Sequence, residues 1–392
     1  MLLPLFVIAH FSHHLVAALL TPLLPYIRES FAIDYTRAGV LLMAFNLAYG
    51  VGQLPGGWLA DRLGFARLMT AGITGVALCG VLAGLAPGFL VMAVSLALMG
   101  VLGGGYHPSA SPLISTRVET RYRGRALGIH QVGGTASFFL GPIAAGGIAA
   151  ALGWRGAFLA VSAPTMAFGV LFFLLLRRWK TEKGEEAAPV PEEQAHWSGR
   201  LSALLPIMLL NVLTQVLVFT SLSFVPLYAV DELGAGKEAG AMMLSIAHSA
   251  GLWAGPLAGS LSDRMGKVPI ILAAGLLAGP MIFLLNHATL QWSIYPVLLM
   301  LGMCQYMGMP VTESYVITHA PRRRRSTILG VYYTVSRGGP GLMAPVMGYL
   351  IDRYRFSTAY LAAAAAMTAV AAACWVYVGF ARAGGGNTTA GR

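Results

Sequence analysis

Three histidines stand close together in the first apolar segment of the chain. His10, His13 and His14 fall within a wedge of roughly 100° when successive residues are spaced about 100° apart, as in a helix. Because the unperturbed pKa of histidine is about 6.5, such side chains can gain and lose a proton around neutral pH. The spacing predicts a stripe, continued on the same helix face as far as Arg28, that carries protons or contacts a substrate. The alternative is that these histidines only form hydrogen bonds between packed helices.

Other polar side chains interrupt apolar segments further along the chain. His107 precedes Pro108, whose missing amide leaves a helix carbonyl free to meet a substrate or a proton. His130, Gln131 and His248 either belong to the same pathway or serve as hydrogen-bond partners between helices. The remaining positions predicted to face a polar interior are Asn46, Tyr49, Gln215 and Tyr332.

One arginine, Arg337, falls near the middle of an apolar segment. A charge at that depth of a membrane helix costs roughly 2.5–3.5 kcal/mol on insertion scales, so a partner or a water-filled cavity must compensate it. An anionic substrate could bind Arg337 together with Tyr332 or Tyr333, or Glu313 could pair with it. Some other form of solvation is the third alternative.

The sequence predicts no cofactor, no metal site and no enzymatic activity. Cys79, Cys304 and Cys374 all fall inside apolar segments and lack metal-ligand spacing. The histidine stripe has no thiolate or carboxylate beside it, which ranks the transport of a metal below that of an organic compound. No phosphate loop, nucleophile elbow or zinc-protease helix occurs in the sequence.

Composition identifies the elements that hold these side chains as membrane helices. Of the 392 residues, 57% are hydrophobic and 10% are charged, whereas soluble domains are about a quarter charged. A membrane helix needs roughly 20 mostly apolar residues. By that measure we predict an all-α integral membrane fold with twelve spans, at about 3–27, 38–60, 67–86, 88–115, 126–151, 156–177, 203–230, 240–261, 268–286, 290–318, 327–351 and 357–380.

The net charge of +11 follows the predicted loops. If the N-terminus lies inside, the cytoplasmic loops and tail hold 19 Lys and Arg, against six in the outer loops. This asymmetry fits the positive-inside rule and predicts a multi-pass protein of the cytoplasmic (inner) membrane with both termini cytoplasmic. Nucleic-acid binding is excluded because the basic residues are scattered over six loops without a recognition module.

The chain repeats itself at an offset of 202 residues. This offset pairs Tyr26 with Tyr228, Gly100 with Gly302 and Pro108 with Pro310, and it aligns the block Gly57–Gly64 with Gly259–Gly266. We predict two pseudo-symmetric six-helix bundles, at 1–177 and 203–381. A charged, proline-containing cytoplasmic linker at 178–202 joins them, and a disordered tail follows at 382–392.

The repeated block resembles the signature of the major facilitator superfamily, G-x-L-a-D-R-x-G, and the likeness covers nearly the whole chain. The resemblance implies two six-helix bundles, a central cavity lined by the first, fourth, seventh and tenth spans, and an acid, Asp61, that closes the cytoplasmic side in one state. The alternative is a tight turn with a surface ion pair, worth about 0–1 kcal/mol. The gating residues implied are Gly57, Asp61, Arg62, Gly64, Arg67, Gly259, Asp263, Arg264, Gly266 and Lys267.

Two further motifs narrow the resemblance. The fifth span carries Gly141, Pro142, Gly146 and Gly147, which is similar to the glycine-proline signature of the family's exchangers; the alternative is ordinary tight helix packing. The segment 106–111, with 131–134 downstream, resembles the fosmidomycin-resistance branch, which exports a phosphonate antibiotic. This chain lacks the arginine usual in the family's fourth span and any carboxylate in the first. A different group must therefore carry protons.

These observations predict a secondary transporter that exports a small anionic organic compound or drug in exchange for protons. Its expected partners are the lipid bilayer, the substrate and protons, and the expected state is a monomer. Proton-coupled uptake of an organic anion is the first alternative. A metal exporter and a membrane receptor or sensor without transport follow it.

Overall fold

The computed structural model describes residues 3–115, 118–178, 201–290, 292–320 and 322–385. Within these ranges the chain is helical, with no strand. Residues 179–200 of the predicted linker and 386–392 of the predicted tail lie outside the described residues.

Within the described residues, the first half contains seven α-helices, the last of which ends at Arg178. They are α1 (Leu3–Ala17), α2 (Leu20–Phe31), α3 (Tyr35–Leu63), α4 (Phe65–Gly84), α5 (Phe89–Gly104), α6 (Tyr106–Ser115) and α7 (Arg123–Arg178). Two of the predicted spans are each broken into two helices: α1 and α2 separate at residues 18–19, and α5 and α6 at Gly105. The long α7 contains a non-helical residue, Gly153, that divides it into two arms.

Helices of the second half begin at Leu201. They are α8 (Leu201–Ser223), α9 (Val225–Asp231), α10 (Lys237–Ser249), α11 (Ala254–Met265), α12 (Lys267–Leu285), α13 (Ile294–His319), α14 (Arg322–Tyr354) and α15 (Phe356–Gly385). Nine stretches of the described chain are long and apolar enough to cross a membrane. One of these, Arg123–Arg177, has 55 residues, and a crossing needs only about 20. The all-α membrane fold is therefore confirmed, and the count of twelve spans stays a prediction.

The 202-residue repeat is visible in the backbone. The described ranges contain six residues with positive φ, and they form three pairs 202 residues apart: Ala32 with Gly234, Gly64 with Gly266, and Gly153 with Arg355. The helices α3 and α10 also begin 202 residues apart, and α3 and α11 end 202 residues apart. The turns of one half thus recur in the other even where the residue types differ.

One of these pairs places an arginine where its counterpart is a glycine. Arg355 has φ +80° just after α14, its amide donates to the carbonyl of Ile351, and its side chain is exposed. A non-glycine residue in this left-handed region costs about 1–2 kcal/mol, and helices commonly end on glycine at such a position. We expect Arg355→Gly to raise the free energy of unfolding by about 0.5–1 kcal/mol, after the added flexibility of the unfolded glycine chain is subtracted.

Thermal unfolding of the detergent-solubilised protein measures this effect. The matched control is Arg353→Gly, which removes a similarly exposed arginine from the helical last turn of α14 and should destabilise by up to about 1 kcal/mol. Equal melting temperatures for the two variants would show that the backbone at Arg355 is not strained.

The two halves meet along two pairs of helices, α3 with α14 and α7 with α10. Between α3 and α14 the backbones themselves are in contact. A Cβ added to Gly39 would lie 2.4 Å from the carbonyl oxygen of Ala344, and one added to Gly348 would lie 2.2 Å from that of Tyr35. Small residues permit such close approach between membrane helices. The same seam continues to Gly50, which faces Gly338.

Candidate functional site

A cavity lies between the two halves and encloses about 980 Å³, part of it continuous with solvent. Aromatic and aliphatic side chains form much of its wall, including Phe45, Phe138, Phe219, Leu222 and Met309. The polar side chains that line it are His14, Thr21, Asn46, Tyr49, Gln215, Ser223, His248, Gln305, Ser336 and Arg337. Among the lining residues of the described chain, Arg337 is the single one with a permanent charge.

Next to the cavity, five histidines cluster within the first half. His10, His13 and His14 come from α1, His107 from the start of α6, and His130 from α7. The ring of His10 stacks on that of His130 at 4.2 Å, and the ring of His13 stacks on Tyr106 at 4.3 Å. The structure thus brings the histidines predicted from three separate segments into one cluster.

Two backbone carbonyls fix the protonation pattern of part of this cluster. Nδ1 of His10 donates to the carbonyl of His130 at 2.9 Å, and Nδ1 of His130 donates to that of Phe6 at 3.0 Å. A carbonyl oxygen only accepts, so Nδ1 carries the hydrogen in both rings. The lone pair of each neutral ring is therefore on Nε2, and neither Nε2 has a hydrogen-bond partner among the described residues.

The remaining histidine contact is suited to hold a proton. Nε2 of His14 lies 3.1 Å from Nε2 of His107. In a neutral pair one nitrogen must donate and the other accept, and an added proton can move between the rings. His14 lines the cavity, whereas His107 is half-buried and lies outside the cavity lining. The pair therefore connects the cavity with the histidine cluster of the first half.

The second half supplies paired neutral groups to the opposite wall. His248 Nδ1 is hydrogen-bonded to the Tyr306 hydroxyl at 2.8 Å. Gln215 and Gln305 bond to each other, with Gln305 Nε2 donating to Gln215 Oε1 at 2.6 Å. Behind this wall, outside the cavity lining, the hydroxyl of Tyr332 donates to Asn211 Oδ1 at 2.6 Å. These bonds fix the amide and hydroxyl groups, so the wall presents dipoles and no second charge.

Arg337 forms no ion pair with any residue that the structure describes, Glu313 included. Its Nη2 lies 3.6 Å from the sulfur of Met309, a weak acceptor. Of the three alternatives stated for this arginine, the Glu313 pair is not formed in this structure. The guanidinium is left facing the cavity.

Several predicted positions lie outside the cavity lining. Gln131 is exposed on α7, and Tyr332 is buried against α8. Of the predicted packing motif, Pro142 lines the cavity, a Cβ on Gly141 would meet Ala18 at 3.0 Å, and one on Gly147 would meet nothing within 4 Å. Gly146 faces the second half, because a Cβ there would lie 3.2 Å from that of Ala241 on α10.

The predicted gating residues lie where α3 passes into α4 and where α11 passes into α12. We call this end of the molecule the open end, because the described side chains of the gating residues do not bridge the halves. Among residues 3–115 and 201–290, none of their side chains makes a hydrogen bond or an ion pair from one half to the other. Arg62 stacks over the ring of its neighbour Trp58 at 4.1 Å, and Lys267 bonds to the Ser314 carbonyl and the Thr318 hydroxyl on α13. The exposed members are Asp61, Arg62, Gly64, Arg67, Asp263, Arg264 and Gly266, while Gly57 and Gly259 have open space beside them.

Polar contacts between the halves close the opposite end. Asp231 accepts from Arg28 Nη1 at 3.0 Å and from the Tyr35 hydroxyl at 2.8 Å. Asp352 accepts from the amides of Tyr35 and Thr36 at 3.0 and 2.8 Å. Each acid belongs to the second half and each donor to the first. Among the described residues, these contacts join the halves at the end of α3 opposite Asp61.

Two more contacts at the closed end involve the start of α10. The Tyr26 hydroxyl donates to Glu238, and Lys237 pairs with Glu29. The hydrogen bond from Tyr26 holds the pKa of the Glu238 carboxyl below its usual value, so the contact is made by the ionised acid. Apart from Arg28, which the helical wheel placed on the histidine face of the first span, none of these closing residues was predicted. The available signal was that the outer loops hold acids and bases close to the ends of spans.

A cavity between two repeated helical halves that are joined by polar contacts at one end is the plan of known secondary transporters. Comparison with known proteins identifies the family. The chain belongs to the Major Facilitator Superfamily, whose family model matches residues 6–343. It is accordingly a multi-pass membrane transporter of small molecules and not an enzyme.

Curated relatives include two bacterial proteins named Multidrug resistance protein MdtG. The one from Enterobacter lignolyticus (strain SCF1) is 25% identical over 363 residues, covering 88% of this chain and 85% of the relative. The one from Salmonella arizonae (strain ATCC BAA-731 / CDC346-86 / RSK2980) is 26% identical over 301 residues, covering 76% and 74%.

Solved transporter structures share the fold. A POT family transporter in complex with a thioalcohol-conjugated peptide superposes with a TM-score of 0.81 at 14% identity, over 96% of each chain. A bacterial homologue of the human lysosomal transporter Spinster, in an inward-facing and occupied conformation, gives a TM-score of 0.74 at 16% identity over 97% of this chain and 95% of the other. At these identities the likeness concerns the fold alone.

Proposed function

We propose that this transporter exports a small amphipathic organic anion across the inner membrane in exchange for protons, as a monomer with both termini cytoplasmic. The observation that carries the proposal is Arg337, a cation without an ion-pair partner among the described residues and facing an otherwise neutral cavity. In that setting an anion supplies the compensation that the described residues do not provide.

The cavity wall defines the substrate class. A charge-assisted hydrogen bond contributes about 1.5–3 kcal/mol, so an anionic head group bound at Arg337 gains more than a neutral one. The surrounding phenylalanines and leucines favour an apolar or aromatic body. A carboxylate or phosphonate joined to a small apolar group satisfies both requirements.

Protons pass through the His14–His107 pair in this proposal. His14 is accessible from the cavity and shares a 3.1 Å contact with His107. The first span has no carboxylate to perform this role. A substrate bound beside His14 changes the proton balance of the pair. Proton and substrate occupancy are thereby linked at one residue.

Orientation and direction follow from charge and from the relatives. The open end carries Arg62, Arg67, Arg264 and Lys267, so the positive-inside rule makes it cytoplasmic and makes this state inward-facing. The gating role of Asp61 and its repeat counterpart Asp263 then belongs to the alternative state, in which this end closes. The name of the MdtG relatives, multidrug resistance protein, favours export.

Proton-coupled uptake is the second candidate, and the electrostatics of the cavity favour it. A proton on His14 adds positive charge to the cavity that already contains Arg337. An anion bound there offsets both charges, so proton and anion favour each other's binding, as a symporter requires. Exchange requires instead that contact with the substrate removes the proton from His14.

The sign of a pH gradient separates the two candidates. In proteoliposomes given fosmidomycin as the phosphonate probe and benzoate as the carboxylate probe, exchange predicts accumulation when the lumen is acidic. Uptake symport predicts accumulation when the outside is acidic. Liposomes without protein provide the blank. Flux that does not depend on the pH gradient would contradict proton coupling. If neither probe is transported, the assignment of an anionic substrate is wrong.

A further inference from the structure

Three of the clustered histidines form a nearly regular triangle. The ring centroids of His10, His14 and His107 are 4.9, 5.2 and 5.2 Å apart. Each ring offers one nitrogen, and the three nitrogens lie within 4.8 Å of one another. No proton pathway requires three rings around one point, because a relay needs only neighbours in a line.

This triangle matches the geometry of an imidazole metal site. A tetrahedral ion bound at about 2.0–2.1 Å holds its ligand nitrogens about 3.3 Å apart and the ring centroids about 5 Å apart. The nitrogens of His14 and His107 are already at 3.1 Å. The His10 nitrogen lies at most 4.8 Å from the other two nitrogens. A movement of the His10 ring by up to about 1.5 Å would bring it to the spacing of a tetrahedral site.

Hydrogen bonding prepares His10 to act as a ligand. Its Nδ1 donates to the His130 carbonyl, which leaves Nε2 with the lone pair and without a partner in the described chain. Metal-binding histidines almost always donate their second nitrogen in this way, which fixes the tautomer and the ring orientation. The His130 ring, itself held by the Phe6 carbonyl, stacks on His10 and limits its rotation. A buried nitrogen left unsatisfied costs about 1–3 kcal/mol, and binding a metal recovers this cost.

We propose that His10, His14 and His107 bind a divalent transition-metal cation of the zinc class in the wall of the transport cavity. Three neutral imidazole nitrogens suit zinc, cobalt, nickel and copper, whereas magnesium and calcium need oxygen ligands. His14 lines the cavity, so the fourth coordination position opens toward the transported compound. Metal and proton compete for the nitrogens of His14 and His107, so a bound ion replaces the proton relay proposed above. All three ligands belong to α1 and α6 of the first half, and the site does not depend on how the halves are arranged.

Metal binding to the purified protein tests the proposal without any transport assay. The full-length chain, freed of any histidine tag, is dialysed against zinc and the bound metal is measured by elemental analysis. We expect one ion per chain, and with cobalt in place of zinc we expect the intense visible absorption of a tetrahedral site. His14→Ala and His107→Gln should each weaken zinc binding at least about 100-fold.

Matched controls distinguish metal binding at this site from non-specific binding to other histidines. His248→Gln alters a buried histidine on the opposite wall of the same cavity, and His319→Gln alters an exposed one. Both should keep the wild-type affinity and cobalt spectrum. If a ligand variant fails to fold, carbethoxylation of the wild-type chain gives the same information, since zinc should shield His14 and His107 and leave His319 reactive. Zinc binding that survives loss of all three ligands, or equal labelling with and without zinc, would overturn the site.

Discussion

Arg337→Ala is expected to weaken binding of an anionic substrate by about 10- to 100-fold while the protein still folds and inserts. The loss corresponds to the charge-assisted hydrogen bonds that the guanidinium provides, about 1.5–3 kcal/mol. Folding should not suffer, because among the described residues Arg337 has no ion pair to lose and its guanidinium has only the weak acceptor Met309 as a hydrogen-bond partner. Removal of a charge that costs roughly 2.5–3.5 kcal/mol inside a membrane should even raise the melting temperature.

Two companion variants decide why the arginine matters. Arg337→Lys keeps the charge but not the planar fork, so it should retain part of the affinity for a carboxylate or phosphonate. Glu313→Gln removes the acid that could have paired with Arg337 in another state. If Glu313 is such a partner, Glu313→Gln should lower the melting temperature, because it leaves Arg337 unpaired. The double variant with Arg337→Ala, which has neither charge, should recover the melting temperature.

Anion binding is measured by thermal stabilisation with benzoate and fosmidomycin, because the method reports affinity even where flux is lost. If the anions stabilise the Arg337→Ala protein as much as the wild type, the anion binds in another part of the cavity. A collapse of the melting temperature in the absence of any anion would instead assign Arg337 a structural role.

The sequence was most informative where a pattern stays local to one helix. Apolar segments gave the helices, and the repeated block at Gly64 and Gly266 gave two turns that the structure builds with the same positive φ. The other two repeated turns were hidden. Ala32 and Arg355 occupy positive-φ positions where only the partner residue in the other half is glycine. The backbone conformation is therefore the same in both halves, although the glycine that would have indicated it is present in only one of them.

Helical periodicity could not assign the individual histidines to their roles. His13 and His14 are neighbours on the predicted stripe, yet His13 stacks on Tyr106 inside the first half and His14 lines the cavity. The interruption at residues 18–19 also ends the stripe, so Arg28 reaches the closed end instead of the cavity. Such outcomes depend on what packs against each face, and a single sequence does not contain that information.

Residues that close the outer end were hidden for a different reason. Asp231 and Asp352 are exposed acids at helix ends, a position that usually signifies nothing more than a solvated surface. Their meaning comes from pairing with Arg28, Tyr35 and Thr36, which are separated from them by about two hundred residues or more in sequence. Each exposed ion pair contributes only about 0–1 kcal/mol. The polar contacts alone therefore form a weak closure, and the packed seam between α3 and α14 must provide much of the remainder.

That seam leads to the second prediction with a large effect. Gly39→Val should open the closed end and reduce transport more than about 10-fold. The added Cβ would lie 2.4 Å from the Ala344 carbonyl oxygen, so the two backbones must separate. Overpacking of this kind costs about 1–3 kcal/mol. The cost falls only on the state in which the seam is closed, and this shifts the population toward the opposite state by up to about 100-fold.

A spin-label distance across the closed end reports the shift. With Cys79, Cys304 and Cys374 replaced, labels at Ser30→Cys and Glu232→Cys mark exposed positions of the first and second halves, and their separation should increase in the Gly39→Val protein. Gly100→Val is the matched control. Its Cβ would also lie 2.4 Å from a carbonyl oxygen, that of Phe45, but within the first half.

Both valines are equally crowded, and only one of them crosses the seam between the halves. If the halves move as bodies, Gly100→Val strains both access states alike, so it should lower the melting temperature and leave the label distance unchanged. Gly39→Val should increase the label distance and leave the melting temperature nearly unchanged, because separation of the halves relieves its strain. Identical behaviour of the two variants would mean that α3 and α14 stay in contact throughout the cycle, and the seam would then be a fixed hinge instead of a gate.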